Sequence, residues 1–187
     1  MKEIEKKFKI ASRLSGREHI DKAELEKVLT DKGVSITKYE IIQYYLPNTP
    51  DGMERRLRSI RQGTLLRYFI THKSVPESVK GVLSREEIER PISKDYLNRY
   101  LEEATHMLVK ERWELEYGIT IDFIDLDKDN DIAIMEIEFP STLHARLVEH
   151  DNVGFFLNDG VEGYPFTVLD VTDKEEYRSK NLSRKIK

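Results

Sequence analysis

Cysteine is absent from all 187 residues of the sequence. Its absence removes disulfides, thiolate nucleophiles, zinc–thiolate sites and iron–sulfur clusters together, so any metal bound here is held by oxygen or imidazole. Glycine and proline are sparse, 9 and 6 residues, and scattered. No Gly/Ser-rich or Pro-rich linker, low-complexity tract or solenoid-length repeat divides the chain, and residues 1–187 read as a single domain. Long hydrophobic runs are missing as well. No segment approaches the roughly 18–20 apolar residues that span a bilayer, and the opening MKEIEKKFKI has no apolar signal-peptide core, so the expected location is the cytoplasm, away from membranes. Nor is there an excess of one charge: 31 Lys+Arg stand against 35 Asp+Glu, a net charge of −4. That balance speaks against wholesale electrostatic binding of nucleic acid and leaves room for a local basic site.

What the sequence does have is charge of both signs, 35% of its residues, beside a hydrophobic share of 39%. Ile20, Ala23, Leu25, Val28 and Leu29 recur at helical spacing between about 17 and 32, before Gly33. A second stripe, Tyr96, Leu97, Tyr100, Leu101 and Ala104, follows Ser93 as N-cap. A short helix is expected after Pro140, capped by Ser141 or Thr142, with Leu143 and Leu147 facing inward. Elsewhere the period is two. Segments near 2–10, 38–46, 53–61, 65–74, 81–89, 106–117, 119–126 and 132–139 read as strands, broken at Gln62-Gly63, Tyr117-Gly118 and the acidic loop Asp127–Asp131. About eight strands with few long crossovers predict a mostly antiparallel sheet.

The polar half of these strands is overwhelmingly ionic. Glu3, Glu5 and Lys7 share one parity, opposite Ile4 and Phe8, with Lys6 breaking the pattern. Lys110, Arg112, Glu114 and Glu116 oppose Val109, Trp113, Leu115 and Tyr117, with Glu111 as the exception, and Glu136 and Glu138 alternate with Met135, Ile137 and Phe139. Arg56 and Arg58 flank Leu57, Arg85, Glu87 and Glu89 share a parity, and Thr71 shares one with Lys73. Two readings fit. In one, cross-strand ion pairs of about 0.2–1 kcal/mol each decorate a solvated sheet face. In the other, the sheet closes and the charged faces meet in a lumen wide enough for one small ligand. Desolvated like charges are costly, so such a lumen calls for divalent ions against its carboxylates and a polyanion against its Arg and Lys side chains. A phosphate chain bridged by Mg²⁺ or Mn²⁺ answers both needs.

The ordered series EIEKKF at 3–8, QYYL at 43–46, RRLR at 55–58, YFITHK at 68–73, REEIE at 85–89, VKERW at 109–113, Asp122, MEIEF at 135–139 and VTDKEEYRSKN at 171–181 resembles the CYTH, or triphosphate tunnel metalloenzyme, superfamily. Its opening matches that superfamily's ExExK motif, and the series covers nearly the whole chain. The resemblance implies an α+β, mainly β fold: an eight-stranded antiparallel β-barrel forming a tunnel, with helices packed outside. It implies that Glu3, Glu5, Glu136 and Glu138 are metal ligands, with Asp122, Glu87 and Glu89 as additional ligands or acceptors behind them. Lys7, Arg56, Arg58, Lys73, Arg85, Lys110 and Arg112 become the phosphate-binding set. The tail departs from the pattern, with Tyr177 and Asn181 at looser spacing.

The implied reaction is divalent-metal-dependent hydrolysis of inorganic tripolyphosphate or a nucleoside triphosphate, with Lys7 and Lys73 stabilising the developing charge. The same superfamily holds adenylate cyclases, thiamine triphosphatases and RNA 5′-triphosphatases, so cyclisation of ATP to cyclic AMP and diphosphate is the rival enzyme. A non-catalytic binder of phosphorylated nucleotides is the rival outside enzymology. A nucleic-acid module is disfavoured because the basic residues alternate with acids, although an RNA 5′ end could enter as a triphosphate. Alternation turns His72 away from Lys73, and His19, His106, His144 and His150 lack metal-ligand spacing. Tyr44, Tyr45 and Trp113 read as packing residues. Outward Trp113, Phe123, Met135 and Phe139 require cover by the helices or by a second copy of the chain.

Overall fold

A computed structural model describes residues 2–12, 20–78, 81–127, 130–148, 150–158 and 166–185. The first strand, β1 (Lys2–Ser12), is followed by helix α1 (Lys22–Asp31) and the strands β2 (Thr37–Leu46), β3 (Glu54–Gln62), β4 (Leu65–Lys73), β5 (Glu77–Ser78) and β6 (Leu83–Ile92). Helix α2 (Lys94–Tyr100) leads into β7 (His106–Glu114), β8 (Ile119–Asp127) and β9 (Asn130–Glu138). Helices α3 (Thr142–Arg146) and α4 (His150–Asn158) and the strands β10 (Phe166–Asp170) and β11 (Arg184–Lys185) complete the order.

Eight of these strands close into an antiparallel barrel in the order β1-β9-β8-β7-β2-β3-β4-β6 and back to β1. Closure depends on β1, which pairs with β9 along one edge. Its other edge is shared: Lys2–Glu5 pair with β6 and Phe8–Ser12 with β10. The charged lumen is therefore the reading the fold selects over a solvated face.

Period-two alternation now has two apolar destinations. Outward-facing Phe8, Ile10, Trp113, Phe123 and Met135 are buried beneath Leu25 and Leu29 of α1 and Val153 and Leu157 of α4. Each such fully buried side chain contributes about 1.5–3 kcal/mol. Inward-facing Tyr45, Leu108, Ile124, Ile132 and Ile134 join Val171 in an apolar floor at one end of the lumen.

Helix α1 begins later than its sequence pattern suggests. Asp21 caps it, Oδ1 accepting from the amides of Ala23 (2.9 Å) and Glu24 (3.1 Å), while 17–19 lie outside the described residues. Ser93 caps α2 and Ser141 caps α3 as expected. The expected inward pair on α3 is a correction: Leu143 and Leu147 are 66% and 71% exposed, and Ala145 is the buried residue. Ala145 packs with Ile4 and Val82, where its small side chain allows close approach to the sheet. Strand β7 stops at Glu114, not 117, because Glu116–Gly118 form a tight turn with Tyr117 at φ 62 and Gly118 at φ 71. Glu116 is thus exposed on the turn and no part of the lumen. Of the two residues that break the alternation, Lys6 donates to the Val148 carbonyl at 2.6 Å, and Glu111 accepts from Lys22 and from the Trp113 indole. Both are outer-face polar groups satisfied by the covering layer. No helix among the described residues is long and apolar enough to cross a membrane.

Candidate active site

Register does the assembling. Glu5 lies opposite Glu138 and Lys7 opposite Glu136 across β1–β9, and Glu3 opposite Arg85 across β1–β6. Lys73 faces Glu87 and Thr71 faces Glu89 across β4–β6, while Arg112 faces Asp122 across β7–β8. A cavity of about 900 Å³ results, in the range of small-molecule sites. Its wall includes Glu3, Lys7, Arg56, Arg58, Lys73, Arg85, Glu87, Glu89, Lys110, Arg112, Glu136 and Glu138. Two members of the sequence-derived set lie elsewhere. Glu5 lines an adjoining cavity of about 260 Å³, and Asp122, 1% exposed, sits behind Lys110 and Arg112.

The charges pair around the wall of the lumen, mainly between neighbouring or next-but-one strands. Glu3 holds Lys73 at 3.0 Å and Arg85 at 2.7 Å, and Arg85 reaches Glu5 at 3.3 Å. Lys7 contacts Glu136 and lies 3.4 Å from Glu5, and Arg112 lies 3.2 Å from Glu136. Lys73 meets Glu87 at 2.7 Å, Arg56 approaches Glu87 at 3.5 Å, and Arg58 pairs with Glu89. Thr71 Oγ1 also donates to Glu89 at 2.9 Å.

This pairing leaves charge of each sign unbalanced in different places. Burial, then the neighbouring Arg56 and Arg85, pushes the Lys73 ammonium down to about 8, against the opposing pull of Glu3 and Glu87. Burial and Arg112, sharing the one Asp122 carboxylate, push Lys110 down to about 7. Burial, Arg56 and Arg112 also press the Arg58 guanidinium down, though a guanidinium stays charged. The Nε–H groups of Arg56 and Arg58 are buried without acceptors among the described residues. On the acidic side, burial works against Glu3, yet Lys73 and Arg85 hold its carboxyl at about 2. Glu136, despite burial, is held well below the carboxylate range by Lys7 and Arg112. Glu138 goes the other way: burial and the charges of Glu3, Glu5 and Glu136 raise it, and no cation pairs with it among the described residues.

Glu138 therefore marks where a divalent ion fits, being an unpaired carboxylate raised by four others, Glu3, Glu5, Glu136 and Glu87, a site whose missing element is positive charge. No three acidic or histidine side chains stand in ligand geometry among the described residues. Glu3, Glu5 and Glu136 turn instead to Lys73, Arg85 and Lys7, the opposite charges within reach.

The histidine and tyrosine expectations divide. His72 faces outward, opposite Arg55 across β3–β4, and Tyr44 packs outside. Tyr45 is a packing residue of the lumen floor, where its hydroxyl accepts from Gln43 at 3.0 Å. The C-terminal segment was the least legible part. Val171 N donates to the Lys7 carbonyl at 2.9 Å, Thr172 Oγ1 accepts from Lys7 N at 3.0 Å, and β11 ends on β7, so the segment straps the lumen floor. It brings Arg178, Ser179, Lys180 and Asn181 to the smaller cavity. Their only sequence signal was the polar run YRSKN inside an otherwise unplaced motif.

No family model matches the chain and no curated protein matches it. Solved structures do. The PH1819 protein of Pyrococcus horikoshii is 19% identical with a TM-score of 0.56, covering 88% of this chain and 93% of its own. The PH1012 protein of the same organism is 17% identical with a TM-score of 0.54, over 88% and 94%. A conserved hypothetical protein of Pyrococcus furiosus is 18% identical with a TM-score of 0.51, over 88% and 94%. At these identities the likeness establishes a shared fold, extending over nearly the whole length of each chain.

Proposed function

We propose that the chain is a triphosphate tunnel metalloenzyme that hydrolyses inorganic tripolyphosphate or a nucleoside triphosphate with Mg²⁺ or Mn²⁺. The observation that carries this reading is crowding of like charge of both signs around one cavity: Arg58 is pressed by Arg56 and Arg112, Lys73 by Arg56 and Arg85, and Lys110 by Arg112, while Glu138 is raised by its fellow carboxylates. A linear polyanion offsets the crowded cations and a divalent cation the carboxylates. Alternation, register and the motif series support the same conclusion independently.

Arg56 and Arg58 offer planar forks to phosphate oxygens, and their unpaired Nε–H groups are donors awaiting acceptors. Lys7 and Lys73 hold point charges where charge develops on the phosphoryl group in transfer. Arg112 and Lys110 are fixed in place by Asp122, which acts through them. Glu3, Glu5, Glu136 and Glu138, with Glu87 and Glu89 alongside, would hold a divalent ion that shields phosphate charge and polarises water. Overall, water adds to the terminal phosphorus as the bridging P–O bond breaks, giving orthophosphate, a proton and either diphosphate, from tripolyphosphate, or the nucleoside diphosphate, from a nucleoside triphosphate.

Product-resolved turnover tests the reading. Tripolyphosphate and ATP are each incubated with Mg²⁺, Mn²⁺ or excess EDTA. Metal-dependent orthophosphate release, lost in Glu138→Gln, is expected. Cyclic AMP with diphosphate would transfer the site to a cyclase, and metal-dependent binding without turnover would make the protein a binder.

A further inference from the structure

The smaller cavity is a second opening of the lumen, because both cavities are bounded by Lys7, Arg56, Arg85 and Ser179. What distinguishes it is the C-terminal strap. Lys180 reaches this opening with a neutral partner, donating to Asn48 Oδ1 at 2.8 Å, and forms no ion pair among the described residues. Arg178 spends one nitrogen on exposed Glu175 at 3.2 Å, while its buried Nε–H has no acceptor. Two strap cations thus join Lys7, Arg56 and Arg85 around this opening, five cations against the three carboxylates Glu5, Glu54 and Glu175.

We infer that this opening is a separate orthophosphate subsite, in which Arg178 and Lys180 bind the ion beside the larger cavity. Oxygens of an orthophosphate dianion would supply the acceptor that Arg178 Nε lacks and the negative charge that Lys180 lacks. The origin of the ion rests on the proposed hydrolysis, since orthophosphate is its product; the site itself does not.

The test is calorimetric titration of inorganic orthophosphate into the full chain in EDTA, before and after saturation with tripolyphosphate, in wild type and in the Arg178→Ala/Lys180→Ala variant. The tripolyphosphate-saturated wild type should still bind one orthophosphate. The double variant should lose about tenfold or more of that affinity, as expected for charge-assisted hydrogen bonds. Lys180→Arg should retain binding, and matched thermal midpoints show that the variants fold. Orthophosphate binding abolished by tripolyphosphate in the wild type, or unchanged in the double variant, overturns the inference. Failure of the hydrolase reading shows separately, as absent turnover. If tripolyphosphate itself does not bind, the comparison of wild type with the double variant alone decides the subsite.

Discussion

Arg112 grips Asp122 through two parallel hydrogen bonds, Nε to Oδ1 and Nη2 to Oδ2, each 2.7 Å long. The Lys110 ammonium contacts the same carboxylate, so one buried anion organises two cations of the lumen. Against burial, Arg112 and Lys110 hold Asp122 below its ordinary range. Asp122→Asn removes the compensating charge while keeping the shape. The expected result is a loss of about 3–5 kcal/mol, typical of breaking a buried pair. Urea denaturation of the metal-free protein measures it; an unchanged midpoint would mean that Lys110 and Arg112 find another anion.

Glu138 should behave in the opposite way. Its raised carboxyl means that the charged form is disfavoured in the folded chain, so the unfolded state ionises more readily and folding loses stability as pH rises through the ordinary carboxylate range. Glu138→Gln should leave the metal-free protein as stable as wild type or slightly more so. Mn²⁺ affinity should fall by at least about tenfold, the lower end of losses seen even for groups behind a metal ligand. Calorimetric Mn²⁺ titration together with a thermal melt separates the two effects. A destabilised variant with intact Mn²⁺ binding would remove Glu138 from the ligand set.

The barrel and its lumen were legible because alternation is a strict code: once Glu3, Glu5 and Lys7 face one way, Phe8 and Ile10 must face the other, and register follows. Alternation could not say that Lys6 and Glu111 are satisfied by the covering layer, since Val148 and Lys22 are remote in sequence. On α3, periodicity favoured Leu143 and Leu147, but the close approach of the helix to Ile4 and Val82 selects the small Ala145. The strap was illegible for a different reason. Its contacts with Lys7 are made by backbone atoms and by Thr172, and backbone pairing leaves little trace in side-chain pattern.

Lys110 is a buried charge held at the expense of stability. Its ammonium is buried and pressed down to about 7 by burial and by Arg112, although Asp122 is in contact. Because Arg112 alone can neutralise Asp122, Lys110→Met should stabilise the metal-free protein by about 1 kcal/mol or more, as apolar replacements of buried charges often do. The same change should weaken tripolyphosphate binding by about tenfold or more, the equivalent of one charged hydrogen bond. Denaturation and calorimetry on the one variant decide it, and a variant weaker in both respects would assign Lys110 a structural role.

Lys73 and Lys110 together give the lumen a pH signature. Their folded-state values, about 8 and about 7, lie below the ordinary 10.5, so between these limits the unfolded chain binds more protons than the folded one. From these two groups alone, stability of the metal-free protein therefore rises as pH rises from about 7 towards 10.5. A bound polyanion reverses the imbalance, because its negative charge favours both ammonium forms. Near pH 9, where both lysines of the empty lumen have largely lost their protons, tripolyphosphate binding should draw protons from the buffer. Calorimetric titrations in two buffers of different ionisation enthalpy read that uptake from the difference in apparent heat. Lys73→Met and Lys110→Met should each reduce it. Heats identical in the two buffers would mean that the phosphate chain does not reach these lysines, and would move its site towards Lys7 and Arg85, whose ammonium and guanidinium are held up, against burial, by Glu136 and Glu5.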